Sequence, residues 1–206
     1  MLTLTKTLDT TFRAEPGERA VVARISTTAV DRDGDVILPS GLDVADYKRN
    51  PVVLLVHDSG KLPIGRVESI KKQSNDVMAK VVFAERPISH PASAEWIPDT
   101  VLALFQQKVL NAFSVGFTVD NDGIRIAEAK DKSRFGDHAR RIVTRWKLIE
   151  LSVVPVPANQ EALAVAVSKS WLAMGWKGLS KKTPLRLNKP QPLVLDLLRP
   201  LDISLA

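Results

Sequence analysis

The sequence predicts a mainly β fold with flanking helices, of the α+β class. Short apolar runs bounded by turn residues are typical of strands, and several of them occur before residue 155. One other segment repeats its apolar residues at helical spacing. With 45% hydrophobic and 25% charged residues, the composition is that of a globular domain with a packed core.

Each predicted element follows from its local pattern. The helix spacing is that of Ile97, Val101, Leu104 and Phe105, and Pro98 suits the first turn of such a helix. A second helix is predicted at about 160–170, with Asn159 as its N-cap after the proline-broken "VVPVPAN". The predicted strands lie, in chain order, at 20–27, 51–57, 64–70, 77–84, 112–119, 141–148 and 149–154.

The 206 residues suffice for one domain and an extension. We expect an N-terminal extension at 1–14, a domain at 15–168 and a basic, proline-containing tail at 169–206. The tail has seven basic and two acidic residues, so five of the six net positive charges lie there. Nucleic-acid binding is therefore not expected for the domain. The tail fits either an interaction segment or a partly disordered end.

Composition also excludes several kinds of chemistry. Without cysteine, the chain has no disulfide, no cysteine-based zinc site and no thiol nucleophile. It has no long apolar run, so we expect a soluble, cytoplasmic protein with no membrane partner. "DRDGDVILPSGL" begins like a calcium loop, but Val36 and Leu42 replace the glycine and glutamate that an EF-hand needs. A tight turn at Asp33 and Gly34 is predicted instead, and no metal or cofactor is expected.

Three polar residues stand in apolar surroundings. In "NAFSVGFTV", Ser114 shares the small-residue face of a strand whose other face is apolar. His57 ends the apolar run "NPVVLLVH", whereas His90 and His138 lie in segments expected at the surface. Glu150 lies within "LIELSVV", where burial of a carboxylate demands a fixed partner.

The partner of Glu150 is open at this point between the neighbouring Arg145 or Lys147 and an imidazole. If the three polar residues meet, they are the side chains that a serine hydrolase needs. Serine supplies the nucleophile, histidine takes and returns its proton, and the carboxylate orients the imidazole.

Four blocks of sequence resemble the prohead proteases of tailed phages, the capsid-maturation serine proteases. The blocks are "STTAVDRDGDVILPSGL", "NPVVLLVHDSGKLPIGRVESI", "LNAFSVGFTV" and "LIELSVVPVPANQEA", and they span roughly 15–168. Position by position, the resemblance implies that His57, Ser114 and Glu150 are the catalytic residues. It also implies a fold similar to herpesvirus assemblin, a β-barrel surrounded by helices, and a homodimer.

The resemblance further implies a serine endopeptidase that acts through an acyl-enzyme on Ser114. Its substrates would be the scaffold protein or the scaffold-like leader of the major capsid protein, inside the prohead in the host bacterial cytoplasm. The herpesvirus enzymes use a histidine as the third member and arginines beyond it, whereas here Glu150 is followed by an apolar run. The N–H groups of Val115 and Gly116 are therefore the candidate oxyanion donors or substrate contacts.

Two other functions compete with this interpretation. An inactive assemblin-like domain would bind capsid or scaffold proteins and keep the three residues as a static network, since function depends on the site and not on the fold. "AFSVG" also approaches the GxSxG motif of α/β-hydrolase esterases. That motif requires a helix after the serine and the order serine, acid, histidine, whereas here a strand follows and the order is histidine, serine, acid.

Overall fold

Strands make up most of the structure, a computed structural model that describes residues 14–168. In this range the strands are β1 (Ala20–Thr27), β2 (Asp35–Ile37), β3 (Leu42–Asp43), β4 (Val52–Leu55), β5 (Gly65–Lys72), β6 (Asp76–Phe83), β7 (Ala112–Thr118), β8 (Ile124–Ile126), β9 (Arg141–Val143), β10 (Trp146–Val154) and β11 (Ala164–Val167). The helices are α1 (Ile97–Gln106) and α2 (Ala129–Phe135). This mainly β architecture with flanking helices fits the predicted α+β class.

The strand β10 organises the larger of two mixed sheets. That sheet has the order β11-β1-β6-β5-β4-β10-β3, and β7 also pairs with β10. β10 runs parallel to β4 and β3 and antiparallel to β7. The smaller sheet has the order β2-β9-β8. Because β10 lies between β4 and β7, three segments distant in sequence become neighbours.

The strand ladders of residues 14–168 do not close into a barrel. One edge of β7 pairs with β10, and its other edge meets the chain before β11 through the single bridge Ala112–Leu163. Two backbone bonds flank that bridge, from Phe113 N–H to the Ala162 carbonyl at 2.9 Å and from Ala164 N–H to the Asn111 carbonyl at 2.8 Å. β11 itself pairs with β1, and no ladder joins it to β7 within the described residues.

The hydrophobic core packs one face of the larger sheet against α1. The helix begins with Pro98 in its first turn, as predicted, and buries Leu102 and Phe105. The Phe105 ring stacks on that of Phe113 in β7, with 5.2 Å between centroids. Complete burial of one such side chain contributes about 1.5–3 kcal/mol, so the residue next to Ser114 is a strong anchor for β7.

A bulge in β10 decides which face carries Glu150. The register with β7 shifts between Leu148 and Glu150, which makes Ile149 an extra residue. Leu148 and Leu151 are both buried in the core, although strict alternation would place them on opposite faces. The bulge re-aims the strand, and Glu150 therefore shares the other face with Ser152.

The bulge also explains an error in the predicted strands. The sequence suggested separate strands at 141–148 and 149–154, but β10 continues through this boundary. The break lies earlier, between β9 and β10. A bulge and a strand end both interrupt alternation, so periodicity alone does not distinguish them.

The predicted helix at 160–170 is wrong in its described part, which ends at residue 168. Ala164–Val167 forms β11 and pairs with β1. The β-branched Val165 and Val167 favour a strand, and β1 offers partners for their backbone groups. Asn159 caps no helix; its side-chain oxygen accepts a bond from the Glu161 N–H at 2.9 Å, and its amide group donates to Thr27.

Some expectations lie beyond the described residues. The whole predicted tail at 169–206 and residues 1–13 of the predicted extension fall in this category. Between residues 14 and 168, no helix has both the length and the apolar character needed to span a membrane.

The predicted turn at Asp33 and Gly34 joins β1 to β2. The Asp31 carboxylate accepts bonds from the N–H groups of Asp33 at 2.9 Å and Asp35 at 2.8 Å. Gly34 has a φ of +83°, in the left-handed region that favours glycine. Burial, followed by the charges of Asp35 and Asp33, raises the pKa of Asp31 above its ordinary value, although the two hydrogen bonds act against this.

We expect Asp31→Asn to be at least as stable as the wild type at pH 7. The amide oxygen accepts the same two bonds without the charge. An acid whose folded pKa is raised lowers stability as the pH rises through that pKa, so the advantage of Asn should be larger at pH 7 than at pH 3. Asp31→Ala loses both bonds and should cost about 1–3 kcal/mol. Urea unfolding at both pH values checks this, and an Asn variant weaker than the wild type at pH 7 contradicts it.

Candidate active site

The three polar residues singled out by the sequence lie in, or just after, neighbouring strands. His57 follows β4, Glu150 lies in β10 and Ser114 lies in β7. Ser152 of β10 relates the other two strands to each other, because it pairs with Leu54 of β4 on one side and with Ser114 of β7 on the other. Paired residues share a face of the sheet, so Ser114 stands on the face that carries Ser152 and Glu150.

His57 lies in a strained turn and not in the strand predicted at 51–57. β4 ends at Leu55, and the next two residues, Val56 and His57, have φ angles of 51° and 60°. A bond from Asp58 N–H to the Leu55 carbonyl, at 3.1 Å, closes the turn. Left-handed backbone at residues other than glycine costs of order 1–3 kcal/mol each, and a β-branched residue such as Val56 is a clear outlier there.

β10 holds this turn in place. The Val56 N–H donates to the Val153 carbonyl at 2.9 Å, which extends the parallel ladder by one bond. The His57 N–H donates to the Ser152 hydroxyl at 3.1 Å. The surrounding structure thus stabilises an unfavourable backbone conformation that brings the imidazole over β10.

Glu150 has the imidazole as its partner. Its Oε1 lies 2.5 Å from Nδ1 of His57, and its side chain is only 15% exposed, against 44% for His57. The two cations that competed for this role pair elsewhere: Arg145 with Asp122, and Lys147 with Asp120 at 3.4 Å. The carboxylate and the ring nitrogen thus form a short hydrogen bond at a half-open position.

Ser152 is a site residue that the sequence analysis missed. It is fully buried, accepts the bond from His57 N–H and donates its own hydroxyl to Oε2 of Glu150 at 2.7 Å. Both carboxylate oxygens are therefore bonded, which offsets the cost of burying them. A usable signal was present, because Ser152 is the polar residue two positions after Glu150 and hence on the same strand face.

Gly116 makes room for this carboxylate. It pairs with Glu150 across the ladder, and a Cβ added to it would lie 2.3 Å from Oε1 and 2.9 Å from Cγ of Glu150. Real Cβ atoms do not approach so closely. The space beside Gly116 is thus occupied by the side chain of Glu150.

Ser114 is the accessible serine of the site. The predicted two-faced pattern of its strand is confirmed, since Phe113 lies in the core and Val115 and Phe117 pack against it. Ser114 is half-buried, whereas Ser152 is fully buried. In the described residues, no hydrogen bond engages the Ser114 hydroxyl, so this group has no structural partner there. The strand continues to Thr118 after the serine, unlike the strand–helix elbow of an esterase.

Tyr47 lies close to Glu150, at the border of the site. Burial, and then the charge of Glu150, raises the pKa of its phenol well above the ordinary value. The hydroxyl stays protonated and donates to the Val52 carbonyl at 2.8 Å. Tyr47 is therefore a fixed part of the wall and not a titrating group.

The other histidines take no part in this network. His90 packs edge-on against Trp96, with 5.1 Å between ring centroids, and His138 is exposed. Across residues 14–168, no group of three His, Cys, Asp or Glu side chains is arranged to hold a metal ion.

Glu150, bonded to His57, lies in the strand next to the one that carries Ser114, and serine hydrolases use these three residue types together. The family model of the caudovirus prohead serine proteases matches residues 20–175, which is more than half of the chain. No curated protein matches the sequence. The chain belongs to the caudovirus prohead serine protease family and is a serine protease of phage capsid maturation.

Replacing Gly116 by Ala should displace the Glu150 carboxylate. The added methyl overlaps Oε1, so the bond to His57 should break, and overpacking should cost about 1–3 kcal/mol of stability. The wild type should show a strongly downfield imidazole N–H proton by NMR, identified by its loss in His57→Ala. This signal should vanish in Gly116→Ala.

Gly60→Ala is the matched control, because its added Cβ meets only the Asp58 side chain, at 3.2 Å. That variant should keep both the signal and the stability. Persistence of the downfield proton in Gly116→Ala contradicts the assigned contact.

Proposed function

We propose that the protein is an endopeptidase in which Ser114 is the nucleophile, His57 the general base and Glu150 the residue that orients it. The observation that carries this proposal is the 2.5 Å contact between His57 Nδ1 and Glu150 Oε1, formed beside the strand that bears Ser114. An imidazole whose Nδ1–H is committed to a carboxylate has Nε2 free to accept a proton.

The first half of the reaction forms an acyl-enzyme. Ser114 Oγ attacks the scissile carbonyl carbon while its proton passes to Nε2 of His57, giving a tetrahedral oxyanion. Glu150 stabilises the imidazolium that forms. His57 then gives the proton to the leaving amine, the C–N bond breaks, and the first product leaves with a new amino terminus.

The second half returns the enzyme to its starting state. Water gives a proton to Nε2 and attacks the acyl carbon, and collapse of the intermediate releases a carboxylate product as Ser114 regains its proton. The bonds of Ser152 to Glu150 and to the His57 backbone keep carboxylate and ring in position throughout. Ser152 is thus a positioning residue, since it touches no reacting atom.

The oxyanion donors are proposed among the N–H groups near the nucleophile. The Phe113 N–H and the Asn111 carbonyl form hydrogen bonds on the side of β7 that faces away from β10. Backbone groups of every second residue in a strand point to the same side, so the N–H of Val115 also points away from β10. That direction supports Val115 as a donor. The N–H of Gly116 points toward β10 instead, and the absence of a side chain at Gly116 leaves room for the Glu150 side chain.

The substrate and setting are the finer part of the proposal. Membership of the prohead protease family supports cleavage of scaffold protein, or of a scaffold-like leader of the major capsid protein, inside the prohead in the host cytoplasm. We also propose a nearly closed barrel, similar to that of assemblin, and a homodimer. The bridge between Ala112 and Leu163 supports the barrel, since one short gap separates the sheet from closure.

Ser114→Ala should abolish cleavage of the scaffold and major capsid proteins of the same phage. His57→Ala should be nearly as damaging. Glu150→Gln should retain residual activity, because nucleophile and base remain, with a loss of about 10²–10⁴-fold. Co-expression followed by gel analysis and mass spectrometry of the products gives the measurement.

Ser93→Ala is the matched control, because this serine is exposed in the loop before α1. It should cut like the wild type. Equal cleavage by wild type and Ser114→Ala contradicts the mechanism.

A further inference from the structure

A groove beside Ser114 is not used by the mechanism described above. We call it the β7 groove; it is lined by Ile25, Ile37 and Phe113 on its apolar side and by Asp31, Asp33 and Asp35 on its acidic side, and it reaches Ser114. Its volume is about 190 Å³. Pockets for drug-sized ligands are about 300–1,000 Å³, so the β7 groove suits a single side chain.

Residues of the turn between β1 and β2 line both the β7 groove and a second depression. The charged side chains that line the β7 groove are the three aspartates. Arg32 and Arg140 line the depression on the other side of the same turn, and the Arg32 guanidinium donates to the Pro157 carbonyl. Arg32 and Arg140 are thus directed away from the groove, whereas Arg141 pairs with Asp35 and its charge also acts on Asp31 and Asp33.

The three carboxylates differ in their hydrogen-bond and ion-pair partners. Asp35 is bound by both arms of the Arg141 guanidinium, at 2.6 and 2.7 Å, and Asp31 accepts backbone bonds within the turn. The Asp33 carboxylate receives no hydrogen bond and no ion pair from the described residues. Asp33 therefore provides a negative charge that a ligand can neutralise.

A buried hydroxyl gives an independent sign of a missing ligand. Ser26 lines the β7 groove and is 1% exposed, yet its Oγ has no hydrogen-bond partner in residues 14–168. Buried hydroxyls are normally bonded, and an unpaired one costs about 1–3 kcal/mol. A polar group inserted into the groove would satisfy it.

The edge of β7 next to the groove offers backbone partners to an extended chain. Val115 and Phe117 point their N–H and C=O groups away from β10, and the described residues supply no partner on that side. An extended peptide adds to such an edge by strand pairing, and pockets beside it select alternate side chains. The groove is thus where a side chain of a peptide paired with β7 would enter.

We propose that the β7 groove is a substrate subsite that takes a lysine or arginine side chain from an extended peptide bound along β7. The aliphatic stem packs on the apolar side, and the cationic head reaches the aspartates and the Ser26 hydroxyl. This inference rests on the proposed function, since it assigns part of the substrate to that site. The apolar wall and the room for one side chain favour a basic side chain over a metal ion.

Peptide binding to the full chain carrying Ser114→Ala tests the subsite without requiring cleavage. The probes are fluorescein-labelled decapeptides of alternating alanine and serine, with one lysine, or the uncharged norleucine, at each position in turn. Fluorescence anisotropy should show one position at which lysine binds about fivefold more tightly than norleucine, the effect of about 1 kcal/mol from one partly exposed ion pair.

Asp33→Asn should remove this preference and leave the norleucine peptide unaffected. Asp46→Asn is the matched control, because it deletes the same charge at an exposed position outside the groove. Ser26→Ala, which removes the orphan hydroxyl, should fold normally and weaken the lysine peptide alone.

Equal affinity for lysine and norleucine at every position overturns the subsite. A preference that survives Asp33→Asn, or falls equally with Asp46→Asn, also overturns it. The two proposals fail separately: a basic preference without Ser114-dependent cleavage by the active chain removes the catalytic mechanism alone, and cleavage without a basic preference removes the subsite alone.

Discussion

The Glu150 carboxylate is the constraint on which the rest of the site depends. It lies in a strand of apolar residues and is only 15% exposed, so its charge requires bonds to both oxygens. His57 Nδ1 supplies one and the Ser152 hydroxyl supplies the other. These bonds join the turn after β4 to β10, and the paired glycine of β7 leaves the space in which the carboxylate lies.

Other local features follow from that constraint. The bulge at Ile149 turns Glu150 away from the core while Leu148 and Leu151 both stay in it. The left-handed backbone at Val56 and His57 is unfavourable by itself, but bonds from β10 stabilise it. A strained turn, a bulge and a close glycine contact meet around Glu150. Such features are typical of a site whose geometry is maintained at the expense of local stability.

The sequence predicted the elements that repeat a regular pattern. β1 matched its apolar run at Ala20–Thr27, and α1 formed with its proline start, although Ile97 of the predicted apolar face is exposed and Leu102 is buried instead. Failures occurred where tertiary pairing overrode local pattern. The segment at Ala164–Val167 became β11 because β1 provided an edge for it, and the boundary expected after residue 148 was a bulge.

The sequence predicted which residue types form the candidate site, but it did not predict how they are arranged. Glu150 in an apolar run demanded a partner, but the choice between Arg145, Lys147 and an imidazole depended on the pairing of β4 with β10. Ser152 stayed unnoticed because a buried serine usually bonds a nearby backbone group. The β7 groove had no sequence signal, since β1, the following turn and β7 meet only in the fold.

The proposed chemistry requires that the reactive hydroxyl belong to Ser114 and depend on His57. Labelling with a fluorophosphonate, which forms a bond to an activated serine Oγ, followed by tandem mass spectrometry of the digested protein, measures this directly. We expect one adduct on Ser114 that is lost in His57→Ala. An adduct on Ser152, or equal labelling of Ser114 in the absence of the imidazole, would contradict it.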